Sequence, residues 1–433
     1  MVMKRTVFVN ELTDGLLDPS KPMLGPVEDG GFIVANTAPG CWGPMLTPEL
    51  KGRNEVSKPV FVEGAEVGDA IVIYIKSIAV TSQVVTSGTD MANEGKFVGD
   101  PYVVSYCPNC GVTYPESEVV GTGEGCIRCK KCGADIATFT MTHGYSIAFN
   151  EERDIGITLS KEMSEKVAKD AKKYMAIPDA SVQNPAALLA PSDLSGTISR
   201  LRPFLGQLGT TPSTAIPDTH NSGDFGSFLF DVPHDYCLTE EELNKHKTDA
   251  HMDNSRVREG AIVIAPVKVK GGGVYLGDVH AMQGDGEIAG HTTDVSAITT
   301  LKVKVLKGLN IDGPILLPLE EDLPHLAKPF TKLELRKAER LAAHWNMSNL
   351  EKTAPLSFIG TGTNLNLAIG NALERGAKFL NMSLEEMKNR ATITGSIEIG
   401  RAPGSVAATI LAPVEKLEKA GIYDIIKEQY NLA

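Results

Sequence analysis

The chain has 433 residues, enough for two or three domains with substantial cores. Its 42 basic and 54 acidic residues leave a formal net charge of −12, which argues against a nucleic-acid partner, because phosphate recognition needs a basic face. It contains no apolar run long enough to span a bilayer, and the start Met-Val-Met-Lys-Arg-Thr-Val-Phe-Val-Asn lacks the apolar stretch of a secretion signal, so the expected setting is cytoplasmic, without membrane contact.

Short, β-branched apolar runs dominate the first hundred residues. Val60–Val62 and Ala70–Ile75 read as buried strands on either side of a turn from Gly64 to Asp69. Two matched knuckles follow, Cys107-Pro-Asn-Cys110-Gly111 and Cys129-Lys-Lys-Cys132-Gly133. Each presents two thiolates from one tight turn, and two such pairs roughly twenty residues apart close a tetrahedral shell suited to structural zinc. Cys126 and Cys129 also have the C-x-x-C spacing, but only Cys129 and Cys132 repeat the Cys-x-x-Cys-Gly form of the first knuckle. A redox role fits a lone C-x-x-C better than a duplicated one. Reduced thiolates and an odd total of 7 cysteines again suit a reducing cytoplasm.

Beyond the knuckles, Ser160 is the expected N-cap of a helix with Met163, Val167, Ala171 and Tyr174 on one face, ended before Pro178. Ala261–Ile264 and Leu301–Leu306 read as further strands. Pro59-Val-Phe-Val-Glu-Gly64, closing at Asp69, is echoed by Pro266-Val-Lys-Val-Lys-Gly271, closing at Asp278, so two β-units are expected to share one local design unless the match is chance. The C-terminal third is more helical: Leu333–Trp345, Leu365–Leu380, a helix capped by Ser383 with Glu386, and a last one starting near Pro413. The predicted fold class is β-rich α+β, with a β-sandwich-like core, a smaller α/β part and an inserted zinc ribbon. The expected divisions are residues 1–100, a β-rich N-terminal part; 101–140, the ribbon; and 141–433, the remaining body with its helical end.

Residue types suited to catalysis concentrate in Gly277-Asp278-Val-His280-Ala-Met-Gln-Gly284-Asp285-Gly286-Glu287. On a strand Asp278 and His280 share a face, and a loop with two glycines can return Asp285 or Glu287 toward them. Such a set suits general acid–base work or a divalent metal, although spacing alone is equally compatible with a polar turn. Two upstream clusters carry the same residue types: Asp218-Thr-His220-Asn221-Ser-Gly-Asp224 and His251-Met-Asp253-Asn254. His234 and His246 read as surface residues, and His143, His325 and His344 stand alone. The chain has no Gly-x-Ser-x-Gly elbow, Walker loop or dinucleotide fingerprint, and Cys41 and Cys237 read as inert thiols.

These segments resemble the acetamidase/formamidase family. The similarity runs through Pro59–Asp69, Arg202-Pro-Phe-Leu-Gly-Gln-Leu-Gly209, Met252–Asn254, Gly277–Glu287, Ile393–Val406 and the helix after Pro413. The resemblance implies hydrolysis of short aliphatic amides to carboxylate and ammonia on a β-rich scaffold that forms homo-oligomers. The family's motif of a histidine, two glycines, an asparagine, a hydrophobe and an aspartate is split here between His220–Gly223 and Met252-Asp253, with an excursion between them. The expected catalytic residues are Asp253, Asp278, His280 and Glu287, with Glu287 as general base and proton shuttle. His220, Asn221, Gly284 and Gly286 are the expected substrate contacts, the loop amides serving as oxyanion donors. A second divalent metal, beside the zinc on Cys107, Cys110, Cys129 and Cys132, would take ligands from His220, Asp253, Asp278 and His280. The same set can also work without metal. Two other functions stay open: hydrolysis of another small amide, ureide or lactam, and a non-enzymatic metal-binding scaffold that docks a partner through the ribbon.

Overall fold

The structure, a computed structural model, describes residues 5–40, 46–187, 190–222, 230 and 232–432. Cys41 lies outside them. A nine-stranded sheet forms the body, antiparallel except where Thr6–Val9 pairs in parallel with Phe32–Thr37. The first half of its strand Ala70–Val80 is buried on both faces, which is why Ala-Ile-Val-Ile-Tyr-Ile carries no polar alternation. Ile71, Ile73 and Ile75 pack with Leu205, Leu208, Leu276 and Val279 of a three-stranded sheet. Ala70 and Val72, on the opposite face, belong to a second core that continues to Ala368, Ala372 and Leu373 of the helix Leu365–Phe379, which covers the strands Thr353–Thr361 and Ser405–Pro413. The layers therefore run from helices through the large sheet to the small sheet. The fold is β-rich α+β. Among the described residues, no helix is long and apolar enough to cross a membrane.

The two echoed segments lie side by side. Val60 and Val62 donate to the carbonyls of Val274 and Gly271, and Val267 donates to that of Asp69. Their aspartates do different work. Asp69 caps a turn and meets Lys307, whereas Asp278 lies inside the strand Tyr275–His280. The expected single helix after Ser160 is instead two, Lys161–Ala168 and Ala171–Tyr174, because Asp170 leaves helical geometry at ψ 43°. The excursion after Asn221 contains the helix Glu240–His246, with the Thr239–Glu242 capping box its sequence suggests.

Behind that helix, Asp249 is wholly buried between Lys247, at 3.3 Å, and Arg375, and accepts from Thr361 Oγ1 at 2.7 Å. Burial pushes its carboxyl up, but Arg375 and Lys247 overcome this and hold it far below the usual range. The group anchors the start of the segment Asp249–Asn254. Asp249→Ala would leave two buried cations without their shared anion. We expect urea unfolding to show a loss of about 3–5 kcal/mol, whereas an exposed aspartate such as Asp424 should tolerate alanine within about 0.5 kcal/mol.

Candidate active site

The small sheet holds the strands Phe204–Gly209, Tyr275–His280 and Asp294–Val295. His280 pairs with Phe204 and Asp294 in register, which brings the Asp294 side chain beside the His280 ring. Opposite Gly206 the strand departs from extended geometry, and Asp278 takes φ +52°. Asp253 at φ +46° and Glu287 at φ +42° are also left-handed. Such backbone costs about 1–3 kcal/mol per residue, so three instances among neighbouring acids mark a region arranged for purpose rather than stability. Gly206 permits the arrangement. A Cβ there would lie 2.6 Å from Asp253 Oδ1 and 2.7 Å from Asp278 Oδ2. Gly40 likewise leaves room for Asp278 Oδ1.

The side chains of Asp253, Asp278 and His280 converge, and Glu287 joins them through Arg401. His280 Nε2 is 3.2 Å from Asp278 Oδ1 and 3.1 Å from Asp294 Oδ1. His251 Nε2 is 3.2 Å from Asp278 Oδ2 and 2.9 Å from Asp253 Oδ2. Asp278 therefore offers one oxygen to each of two triads, His251–Asp253–Asp278 and Asp278–His280–Asp294, and in each the donor atoms lie within 4.8 Å of one another. Arg401 reaches Asp253 at 3.3 Å and Glu287 at 3.7 Å. Both imidazoles are anchored from behind. His280 Nδ1 donates to Gln283 Oε1 at 2.9 Å, and His251 Nδ1 points to the Thr219 carbonyl at 3.4 Å, which directs both Nε2 atoms at the carboxylates. All of these groups are buried.

Burial and mutual repulsion divide the acids. Burial, then the Asp253 carboxylate, raises Glu287 well above the usual carboxyl range. Burial lifts Asp294 to about 7. For Asp278 the two histidines outweigh burial and hold the carboxyl well below its usual value. Burial lowers His251, but Asp253 and Asp278 more than reverse this, to about 10.

Other expected residues are used differently. His220 is outside both triads. Its Nε2 is 2.6 Å from Asp100 Oδ2, and it is His251 that joins Asp253 and Asp278. The Asn221 amide donates to Thr248 Oγ1 and Tyr275 Oη, as a buried tie between segments. Of the expected oxyanion donors, the Gly286 amide donates to the Gly400 carbonyl in this conformation. Gly284 is exposed. His251, Asp294 and Arg401 complete the site. His251 stood in a recognised cluster, whereas Asp294 and Arg401 carry no spacing signal at all.

Residues 41–248 and 241–419 match the sequence profile of the Acetamidase/Formamidase family. The chain belongs to that family. It is accordingly a hydrolase acting on amide C–N bonds, and the first matched segment runs across the four knuckle cysteines. The chain matches a predicted acetamidase/formamidase from Thermoanaerobacter tengcongensis at 18% identity and TM-score 0.54, over 97% of this chain and 99% of that one. It matches an acetamidase from Yersinia enterocolitica at 16% and 0.53, over 94% and 92%, and one from Bacillus halodurans at 16% and 0.53, over 96% and 100%. At these identities the likeness establishes the shared fold. No curated protein sequence matches.

If Gly206 is the space that lets Asp253 and Asp278 meet, Gly206→Ala should lower kcat/KM for amide hydrolysis by at least about tenfold, because an added Cβ displaces both carboxylates. The protein should remain folded by circular dichroism, and unaltered kinetics would remove the glycine from the account.

Proposed function

We propose that the protein hydrolyses a short aliphatic amide, of formamide or acetamide type, at a site that takes divalent metal on His251, Asp253, Asp278, His280 and Asp294. The observation that carries this reading is the donor set. The carboxylate oxygens of Asp253, Asp278, Asp294 and Glu287 are buried together, and the groups that face them are the imidazoles of His251 and His280 and the Arg401 guanidinium. Two anchored imidazoles and oxygen ligands suit zinc and related divalent ions. Such an ion, when bound, supplies the positive charge that polarises an amide carbonyl and makes a water acidic near neutral pH.

The chain's own residues provide the remainder. Asp278 holds the two triads in one register. Gln283 and the Thr219 carbonyl fix which nitrogen of each imidazole faces them. Glu287, the acid outside both triads, takes the proton from the attacking water and passes it to the departing nitrogen, so that ammonia leaves as a neutral molecule. Arg401 keeps Glu287 and Asp253 apart and orients both.

A second metal role belongs to the knuckles. Cys107 Sγ is 3.5 Å from Cys132 Sγ, and Cys110 Sγ is 3.8 Å from Cys129 Sγ. Tetrahedral zinc with a bond of about 2.3 Å requires sulfur–sulfur edges of about 3.8 Å, so the spacing fits a closed structural site. Cys126 is buried nearby but outside the group, its thiol pushed up by burial.

Metal analysis combined with an ammonia-release assay tests both roles. Wild type should carry one zinc on the cysteines and at least one further divalent ion, and should release ammonia from formamide or acetamide. Asp278→Ala should lose the further metal and about a thousandfold or more in kcat while keeping the cysteine-bound zinc. One metal per chain, with Asp278→Ala fully active, would contradict the proposal. Ammonia release only from a ureide or lactam would redirect the substrate assignment and leave the metal site standing.

A further inference from the structure

The cysteine module reaches the candidate active site through a hairpin on its N-terminal side. Phe97 bridges Ser105, and Tyr106 bridges Thr113 within the first knuckle. The Tyr106 amide donates to Lys96 O at 2.8 Å, the Cys107 amide to Val112 O at 2.9 Å, and Lys96 Nζ meets Asp135 beyond the second knuckle at 3.1 Å. The hairpin is therefore fastened to both halves of the module.

Its tip carries Asp100, which is wholly buried. One carboxylate oxygen accepts from the Tyr102 amide at 2.8 Å, and the other meets His220 Nε2 at 2.6 Å. His220 ends the short turn Asp218–His220, and the carbonyl of Thr219 in that turn faces His251 Nδ1. A second route leaves the same tip. The Tyr102 ring lies 4.5 Å under the Arg53 guanidinium, which donates to the Gly290 carbonyl at 3.1 Å and contacts His291, three residues before Asp294. One tip thus reaches the His251 side of the site through His220 and, through Arg53, the segment that leads into Asp294.

We infer that the cysteine module is a zinc-dependent brace for the active-site wall, and that Asp100 is a positioning residue acting through His220 and Thr219 on the orientation of His251. The inference rests on the proposed ligand role of His251. A neutral hydrogen bond at position 100 retains the geometry, whereas deletion of the carboxylate removes the tie at the His220 end of the turn, which Asn54 holds at Asp218. Outer partners that orient metal-bound imidazoles typically contribute about 10–100-fold in metal affinity or activity.

The test compares Asp100→Ala, Asp100→Asn and Cys129→Ser with wild type by metal content, by the rate at which non-thiolate metal passes to a chelator, and by kcat and KM separately. Asp100→Ala should keep the cysteine-bound zinc, release the other metal about tenfold faster or more, and lose kcat more than it raises KM. Asp100→Asn should recover most of both losses. Cys129→Ser, if it folds, should lose zinc and reproduce the Asp100→Ala kinetics. Metal release and kcat within twofold of wild type in Asp100→Ala would overturn the inference even if Cys129→Ser misfolds, because a merely structural aspartate lowers stability without changing either quantity. The two readouts separate this inference from the reading it rests on. A wild type that holds metal but cleaves no amide sinks the substrate assignment and leaves metal release to decide. A wild type that cleaves amide with metal only on its cysteines sinks the ligand assignment and leaves kcat to decide.

Discussion

Four buried carboxylates in one small volume are the constraint on which the rest of this structure depends. Two unit charges about 4 Å apart repel by about 4 kcal/mol at an effective dielectric constant of 20, and more where water is excluded. Arg401 pairs with Asp253 and Glu287, and the His251 and His280 imidazoles face Asp253, Asp278 and Asp294. The imidazoles answer part of the remaining charge, while burial first and neighbouring carboxylates second raise the Glu287 and Asp294 carboxyls. A fold of marginal stability retains such a cluster where a bound cation makes it favourable.

The scaffold reads as a response to that constraint. A large sheet, covered by helices on one face, presents its other face to a small sheet, and the acids sit on the small sheet and the loops at its end. Glycines remove bulk where carboxylates must approach backbone, as Gly206 does for Asp253 and Asp278. The edge of the large sheet closes the site. Ser405 Oγ donates to the Met252 carbonyl at 2.6 Å, and Gln283 ties Asp253 O and Gly400 O together at 2.7 and 2.9 Å. Left-handed backbone at Asp253, Asp278 and Glu287 is tolerated because these ties over-determine it.

What the sequence revealed follows the range of the forces involved. The strands within Ala70–Val80 and Ala297–Leu306, the cap at Ser160 and the Thr239–Glu242 box were legible because each depends on neighbours a few residues away. The cysteine knuckles were legible because each Cys-x-x-Cys-Gly turn is local and the form repeats, and the four cysteines do come together. Asp278 and His280 were legible as a dense cluster of catalytic residue types, although Asp278 leaves extended geometry at φ +52° and the two side chains meet by that departure as well as by strand alternation. The break at Asp170 was hidden, since the apolar spacing continues through it. The split motif sets His220 beside Asn221, so that His220 reads as a ligand, whereas its burial with Asp100 is a tertiary contact. Asp294 and Arg401 enter by strand register and by the edge of the large sheet, and short-range patterns do not carry that information.

The central claim is that Asp278 is shared between two ligand sets. Anomalous diffraction from crystals of the protein loaded with zinc tests this most directly, because it locates metal without reference to activity. The account predicts one peak enclosed by Cys107, Cys110, Cys129 and Cys132, and separate density on both sides of the Asp278 carboxylate, facing His251 and His280. A single peak confined to the four cysteines, with the Asp278 carboxylate contacting only protein, would contradict it.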